Sequence, residues 1–148
     1  MAAPIIDLAG VSRRYGGHQA LDHVSLAVEA GTFVALVGGS GSGKTTLLKT
    51  INGLVRPDSG RVSVAGEDVG AVEPHRLRRR IGYAFQEVGL FPHLTVAENI
   101  AVTPRLLGWD KARIAARVAE LLALVALPRS EEHTSELQSP YVISYAVF

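Results

Sequence analysis

Cysteine is absent from the 148 residues, aromatic residues make up only 6% of them, and positive and negative side chains almost cancel. Without cysteine the chain has no disulfide framework, no thiolate metal site and no cysteine nucleophile. The net charge of +1 excludes a generally basic nucleic-acid-binding domain. No apolar run approaches the roughly 18 residues of a membrane span, and residues 1–10 lack the basic start of a secretory signal. We therefore expect one globular domain of cytoplasmic character.

The first half of the chain predicts strands that lead into a glycine-rich loop and then a helix. Ile5–Leu8 and Val24–Val28 alternate or nearly alternate between apolar and polar residues, as half-buried strands do. Phe33–Val37 is instead a continuous apolar run, which is expected of a strand buried on both faces of a parallel sheet. Lys44–Ile51 then predicts a helix.

The second half predicts shorter elements in an α/β order. Pro74 suits the first position of a short helix that continues to Arg79. Asp110 suits the cap of a longer helix, because apolar residues follow it at spacings of three and four. The other predicted elements are strands at 61–64 and 81–85 and a short helix at 96–101.

Residues 38–45 fit the pattern G-x-x-x-x-G-K-[ST], which binds phosphates through backbone N–H groups at a helix N-terminus. The glycines permit the tight turn. Lys44 can reach the β- and γ-phosphates as a flexible point charge, and the Thr45 hydroxyl can bind Mg²⁺. The predicted phosphate site comprises Gly38, Gly39, Ser40, Gly41, Ser42, Gly43, Lys44, Thr45 and Thr46.

Three further segments narrow the class of phosphate-loop protein. Tyr15 precedes two glycines ahead of the loop and can offer an aromatic face to a purine base. Residues 81–85 read as a buried strand that ends at Gln86, and Leu90–Ile100 continues from it. Together with the phosphate loop, these segments resemble the ATP-binding cassette (ABC) family of transporter ATPases over residues 5–128.

The resemblance implies an α/β P-loop NTPase fold and binding of ATP with Mg²⁺. It implies that Tyr15 stacks on adenine and that Gln86 contacts Mg²⁺ and the attacking water. It also implies that the loop around Leu90–Ile100 binds transmembrane permease subunits and that a second ABC subunit completes the site in a head-to-tail dimer. A solute-binding protein would act indirectly, no nucleic acid would be bound, and the chain would lie peripherally on the cytoplasmic face of the inner membrane.

A narrower resemblance concerns the transported solute. Glu98–Ala101 and Pro104–Lys111 resemble the branch of importers that takes up glycine betaine, choline and similar osmoprotectants. In that branch the solute binds another subunit, so this chain contains no solute chemistry of its own.

Several parts that the family needs for hydrolysis do not occur in the 148 residues: an L-S-G-G-Q-type signature, an apolar Walker B strand ending in Asp-Glu, and a later switch histidine. Phosphoryl transfer to water depends on several such parts acting together. The resemblance therefore implies a domain truncated before these elements and inactive alone. Without the Asp-Glu strand, the 33–37 strand would lack a neighbour in the sheet. We accordingly expect an unstable or aggregating chain that binds nucleotide weakly.

The last twenty residues differ in character from the rest. Arg129–Ser139 and Ile143–Phe148 resemble the conceptual translation, in one frame, of two blocks of a common sequencing adapter. We therefore expect residues 1–128 to be the N-terminal part of the domain and residues 129–148 to be a non-native tail. The alternative is a natural polar linker followed by a strand.

The sequence is also compatible with three other functions. One is a non-transport ABC ATPase, which the transporter-like segment 90–100 disfavours. Another is a short module that binds nucleotide without catalysis, which a native tail would favour. A stand-alone kinase with the same phosphate loop is disfavoured by Tyr15 and by Gln86 after a buried strand.

Overall fold

The computed structural model describes residues 3–84, 89–125 and 146–147. The chain divides into two compact units, one made of residues 1–84 with 145–148 and the other of residues 85–144. Gln86 lies outside the described residues.

The first unit is built on an antiparallel four-stranded sheet with the order β2-β1-β3-β4. The long strands β1 (Ile6–Tyr15) and β2 (His18–Val28) form a hairpin around the two glycines that follow Tyr15. On the other side of β1 lies β3 (Ser59–Val64), followed by the two-residue β4 (Glu67–Asp68). The hairpin is longer than the sequence predicts, because its polar half pairs as well as its apolar half.

The core of this unit forms between the sheet and helix α1 (Lys44–Ile51), whose bounds match the prediction. Leu47 and Ile51 lie on the buried side of α1 and join apolar side chains from the strands. Burial of each such side chain contributes about 1.5–3 kcal/mol, so this shared core is what seats α1 on the sheet. The other buried apolar residues of the cluster are Ile6, Leu8, Val11, Leu21, Val28, Val62, Val64, Leu77 and Ile81.

The prediction of a buried strand at 33–37 is wrong for this structure. Residues 32–39 have no regular secondary structure, and Phe33 and Val37 are 80% and 93% exposed. Among the described residues no strand pairs with this segment. A continuous apolar run becomes a buried strand only when neighbours cover both its faces. The exposure of this segment is what we expect when it has no neighbouring strand in the sheet.

Three short elements complete the first unit. Helix α2 (Pro74–Arg78) begins at the predicted proline and buries Leu77. The predicted strand at 81–85 is limited, within the described residues, to β5 (Gly82–Tyr83), which pairs antiparallel with β6 (Ala146–Val147).

The second unit contains helices α3 (Val96–Leu106) and α4 (Lys111–Leu124). Thr95 and Glu98 form a reciprocal capping box at the start of α3, a signal that the sequence analysis missed. The predicted end at residue 101 is wrong, since α3 continues past Pro104 and simply forgoes the hydrogen bond that proline cannot donate.

The predicted cap of α4 is confirmed. The Asp110 carboxylate accepts a hydrogen bond of 2.9 Å from the Arg113 N–H. Val118 and Leu122 on the predicted apolar face are buried, whereas Val125 is exposed. Among the residues that the structure describes, no helix is long and apolar enough to cross a membrane.

Candidate nucleotide site

The phosphate loop ends in a left-handed glycine that touches strand β2. Gly43 has φ +90°, and a Cβ placed on it would lie 2.2 Å from the Ala20 carbonyl oxygen. A side chain at this position is therefore disfavoured both by the backbone conformation and by the contact. Gly41 is also left-handed, with φ +79°, but a Cβ there would meet open space.

The Lys44 ammonium group is held over the loop by three oxygen atoms. It donates hydrogen bonds to the carbonyl oxygens of Gly38 and Gly39, each at 2.7 Å, and to Ser42 Oγ at 3.2 Å. Since these acceptors come from the loop itself, the sequence between Gly38 and Lys44 is sufficient to orient the ammonium group. A lysine has three donors and no acceptor, so each of these bonds can be exchanged for one to an anion.

Helix α1 starts directly at this lysine. Gly43 occupies the N-cap position, and within the described residues no side chain caps the helix. The first-turn N–H groups and the positive end of the helix dipole are therefore presented next to the glycine loop. Thr45 and Thr46 lie in this first turn, and the Thr45 side chain is exposed. A left-handed glycine loop, an uncapped helix start and a lysine together fit a bound phosphate chain.

Tyr15 lies at the turn end of the β1–β2 hairpin, near the phosphate loop. It pairs with His18 across the turn. His18 lies two positions before Ala20, the β2 residue that contacts Gly43. Two residues of strand span about 7 Å, so the hairpin end with Tyr15 adjoins the end of the phosphate loop. The Tyr15 side chain is 43% exposed, which leaves aromatic surface available.

An arginine and an aspartate that the sequence analysis did not single out stand beside Tyr15. The Arg13 guanidinium carbon lies 4.8 Å from the centroid of the Tyr15 ring. The same guanidinium contacts the Asp58 carboxylate at 2.5 Å, and the Arg14 backbone N–H donates to that carboxylate at 2.7 Å. The Arg14 N–H, followed by the Arg13 charge, holds the pKa of Asp58 below its usual value. Asp58 is therefore an anion held against β1.

In the second unit, Asn99 fixes the segment that was predicted to contact a permease. Its amide oxygen accepts a hydrogen bond from the Phe91 N–H at 2.8 Å. Its amide nitrogen donates to the carbonyl oxygens of Phe91, Leu94 and Thr95 at 3.0–3.2 Å. Leu90 and Phe91 remain exposed on this ordered turn.

The structure thus places the predicted loop residues 38–46 and Tyr15 in the same unit. Gln86, predicted to contact Mg²⁺ and water, lies outside the described residues. The sequence profile of the family described as ABC transporter matches residues 21–145. This chain belongs to the ABC transporter family. The family implies nucleotide binding, and the phosphate loop is where this ABC chain has the geometry for it.

Relatives of this ABC chain include ATP-binding proteins of uptake, import and transport systems. It is 47% identical over 123 residues to the glycine betaine uptake system ATP-binding protein YehX of Escherichia coli, which covers 83% of this chain and 40% of that protein. It is 50% identical to the osmoprotectant import ATP-binding protein OsmV of Salmonella typhimurium, over 74% of this chain and 28% of that protein. The choline transport ATP-binding protein OpuBA of Bacillus subtilis is 43% identical, over 82% of this chain and 32% of that protein. This chain therefore spans two-fifths or less of the length of these relatives.

Solved ABC structures share the fold. The ATP-binding cassette MJ0796, in a dimeric post-hydrolysis state bound to ADP and Pi, matches with a TM-score of 0.78 at 28% identity, over 90% of this chain and 62% of that one. A Clostridium perfringens protein that is part of the ABC transporter complex cbiONQ matches with a TM-score of 0.81 at 24% identity, over 93% of this chain and 57% of that one. The α/β P-loop fold of a partial ABC domain, predicted from the sequence, is confirmed.

Proposed function

We propose that this chain is the N-terminal part of the ATP-binding subunit of an ABC importer, which when complete hydrolyses ATP to drive solute uptake. The observation that carries the proposal is the phosphate loop, where the carbonyl oxygens of Gly38 and Gly39 hold the Lys44 ammonium group at the uncapped start of α1. In the complete protein, signature and Asp-Glu elements beyond this chain would supply the rest of the hydrolytic site.

ATP and Mg²⁺ fit the residues present. The Lys44 ammonium group would exchange loop oxygens for β- and γ-phosphate oxygens, and the first-turn N–H groups of α1 would bind the same phosphates. The exposed Thr45 hydroxyl would be a ligand of Mg²⁺, together with Gln86. When bound, ATP supplies the phosphoanhydride bond, and Mg²⁺ offsets the charge on its phosphates. The Tyr15 ring would stack on adenine.

The proposed solutes are quaternary amines such as glycine betaine and choline. The support is that relatives with these names match at 43–50% identity. A spermidine/putrescine import ATP-binding protein, PotA of Chromobacterium violaceum, is 45% identical, so identity alone does not separate the two classes. Uptake of labelled glycine betaine against labelled spermidine, in cells that carry the whole operon, would decide between them.

The proposed partners follow from the second unit and from the family. The exposed Leu90 and Phe91, held by the four hydrogen bonds of Asn99, would bind the permease. A second subunit would complete the nucleotide site in a head-to-tail dimer, with a solute-binding protein acting through the permease. The chain would then lie on the cytoplasmic face of the membrane as a peripheral subunit.

We also propose that residues 129–148 are translated adapter and that the gene continues differently after Pro128. Two blocks that match an adapter in one reading frame support this proposal. Reading the genomic DNA downstream of the Pro128 codon tests it. A frame that continues into a signature motif and an Asp-Glu strand would support a complete ATPase. Codons for Arg129–Phe148 and then a stop would refute the adapter proposal and favour a module that binds nucleotide without hydrolysis.

A lysine substitution tests the phosphate site directly. The protein for this test is the product of the genomic reading frame, whatever sequence follows residue 128. Lys44→Ala should weaken ATP binding at least tenfold in calorimetry, because a charge-assisted hydrogen bond contributes about 1.5–3 kcal/mol. Lys49→Ala is the matched control, since Lys49 is an exposed lysine in the last turn of the same helix. Equal affinity of the Lys44 variant and the wild type would refute the proposed function.

A further inference from the structure

Arg13 lies between a carboxylate and an aromatic ring at the end of the hairpin. Its Nη1 atom contacts Asp58 Oδ1 at 2.5 Å, and its guanidinium carbon is 4.8 Å from the Tyr15 ring centroid. That distance is within the roughly 6 Å at which a cation interacts with an aromatic face. One guanidinium group therefore links the turn after α1 to the exposed ring.

The Asp58 carboxylate is itself held to β1 by backbone bonds. Its Oδ2 atom accepts from the Arg14 N–H at 2.7 Å, and its own backbone N–H donates to the Ser12 carbonyl oxygen at 2.8 Å. Arg13 Nε is buried without a hydrogen-bond partner among the described residues. The carboxylate and the ring are thus the two contacts that orient the guanidinium group.

We propose that Arg13 is a positioning residue for the nucleotide base: anchored by Asp58, it holds the Tyr15 ring in place for stacking on adenine. This inference rests on the proposed function, in which Tyr15 stacks on the base. A ring that is already ordered loses less conformational freedom when the base binds. Such ordering of one side chain corresponds to about a two- to tenfold difference in affinity.

The test compares two ligands that differ in the base. Calorimetry would measure ATP and inorganic tripolyphosphate binding to the full product of the genomic reading frame and to its Tyr15→Ala, Arg13→Ala and doubly substituted variants. Tyr15→Ala should weaken ATP binding about tenfold or more, because an aromatic stack on a base is lost. Arg13→Ala should weaken ATP binding two- to tenfold and leave tripolyphosphate binding unchanged. In the Tyr15→Ala background, Arg13→Ala should have no further effect.

Two further variants separate positioning from a general effect of charge or stability. Arg14→Ala is the matched control, because that side chain donates to Gln19 and not to the ring, while its backbone N–H is retained. It should bind ATP like the wild type. Arg13→Lys retains a cation beside Asp58 and Tyr15 and should recover part of the affinity lost in Arg13→Ala.

Each other outcome overturns a defined part of the reasoning. If Tyr15→Ala does not weaken ATP binding, base stacking fails, and this inference fails with it. If Tyr15→Ala weakens binding and Arg13→Ala does not, only the positioning role fails. Equal weakening of ATP and tripolyphosphate by Arg13→Ala would indicate a structural role. Tighter ATP binding by Arg13→Ala would mean that the guanidinium covers the face that the base needs.

Discussion

Substituting Gly43 by alanine should damage the phosphate loop far more than the same substitution at Gly41. Both residues have left-handed backbones, with φ +90° and +79°. A left-handed conformation costs a residue with a Cβ about 1–2 kcal/mol, and alanine recovers roughly 0.4–1 kcal/mol of this by restricting the unfolded chain. Gly41→Ala should therefore lower the free energy of unfolding by at most about 1.5 kcal/mol.

The contact with strand β2 adds a second cost at Gly43. A Cβ there would lie 2.2 Å from the Ala20 carbonyl oxygen and 3.2 Å from Leu21 Cδ2. Carbon-to-carbonyl contacts normally close no nearer than about 3.3 Å, so the loop and β2 must separate by about 1 Å. Overpacking of this kind costs about 1–3 kcal/mol, which together with a backbone cost of at most about 1.5 kcal/mol gives a total of about 1–4.5 kcal/mol for Gly43→Ala.

Thermal unfolding of the two variants and the wild type measures the difference. At roughly 2–4 °C per kcal/mol, the Gly43 variant should melt about 2–18 °C below the wild type and at least about 2 °C below the Gly41 variant, which should itself melt no more than about 6 °C below the wild type. ATP binding should fall further in the Gly43 variant, because the loop that holds Lys44 is displaced. Equal melting temperatures for the two alanine variants would refute the contact between the loop and β2 as a source of stability.

Three other predictions concern the rest of the chain. Thr95→Ala should lower the free energy of unfolding by about 1 kcal/mol in chemical denaturation by removing the α3 capping box, whereas Thr103→Ala, exposed in the same helix, should have little effect. The pKa of Asp58 is lower in the folded chain than its ordinary value of 3.8, so the ionised carboxylate stabilises the fold above pH 3.8 and this stabilisation is lost as the pH falls through the folded-state pKa. Asp58→Asn should remove the contribution of Asp58 to the acid dependence of the melting temperature. Substituting both Phe33 and Val37 by serine should reduce light scattering by the 148-residue chain, and Leu106→Ser, at a largely exposed apolar site on a helix, should not.

The features that the sequence predicts correctly depend on residues that are close together along the chain. The bounds of α1 are predicted from the residues of the helix itself, and the contacts that hold Lys44 over the loop join residues at most six positions apart. The cap of α4 is another such case, since Asp110 and Arg113 are three residues apart. Local spacing is therefore sufficient to predict these features.

What the sequence analysis missed depends on distant residues. Arg13 and Asp58 are 45 positions apart, and neither forms part of a spacing pattern. They meet because β1 and β3 pair, which places the turn before β3 beside the end of the hairpin. The prediction for residues 33–37 failed for a related reason, since apolar composition indicates burial but does not supply the strands that would cover it.

Within the described residues, the phosphate loop is consequently held more firmly on its C-terminal side than on its N-terminal side. On its C-terminal side, Gly43 rests on Ala20, and α1 is packed into the core through Leu47 and Ile51. On its N-terminal side, residues 33–37 pair with no described strand; Phe33, Val34 and Val37 are exposed, and only Leu36 is partly buried against the core. A loop held at one end must lose more conformational freedom on binding than a loop held at both. We therefore predict weaker nucleotide binding by the 148-residue chain alone than by a protein in which further strands cover Phe33–Val37.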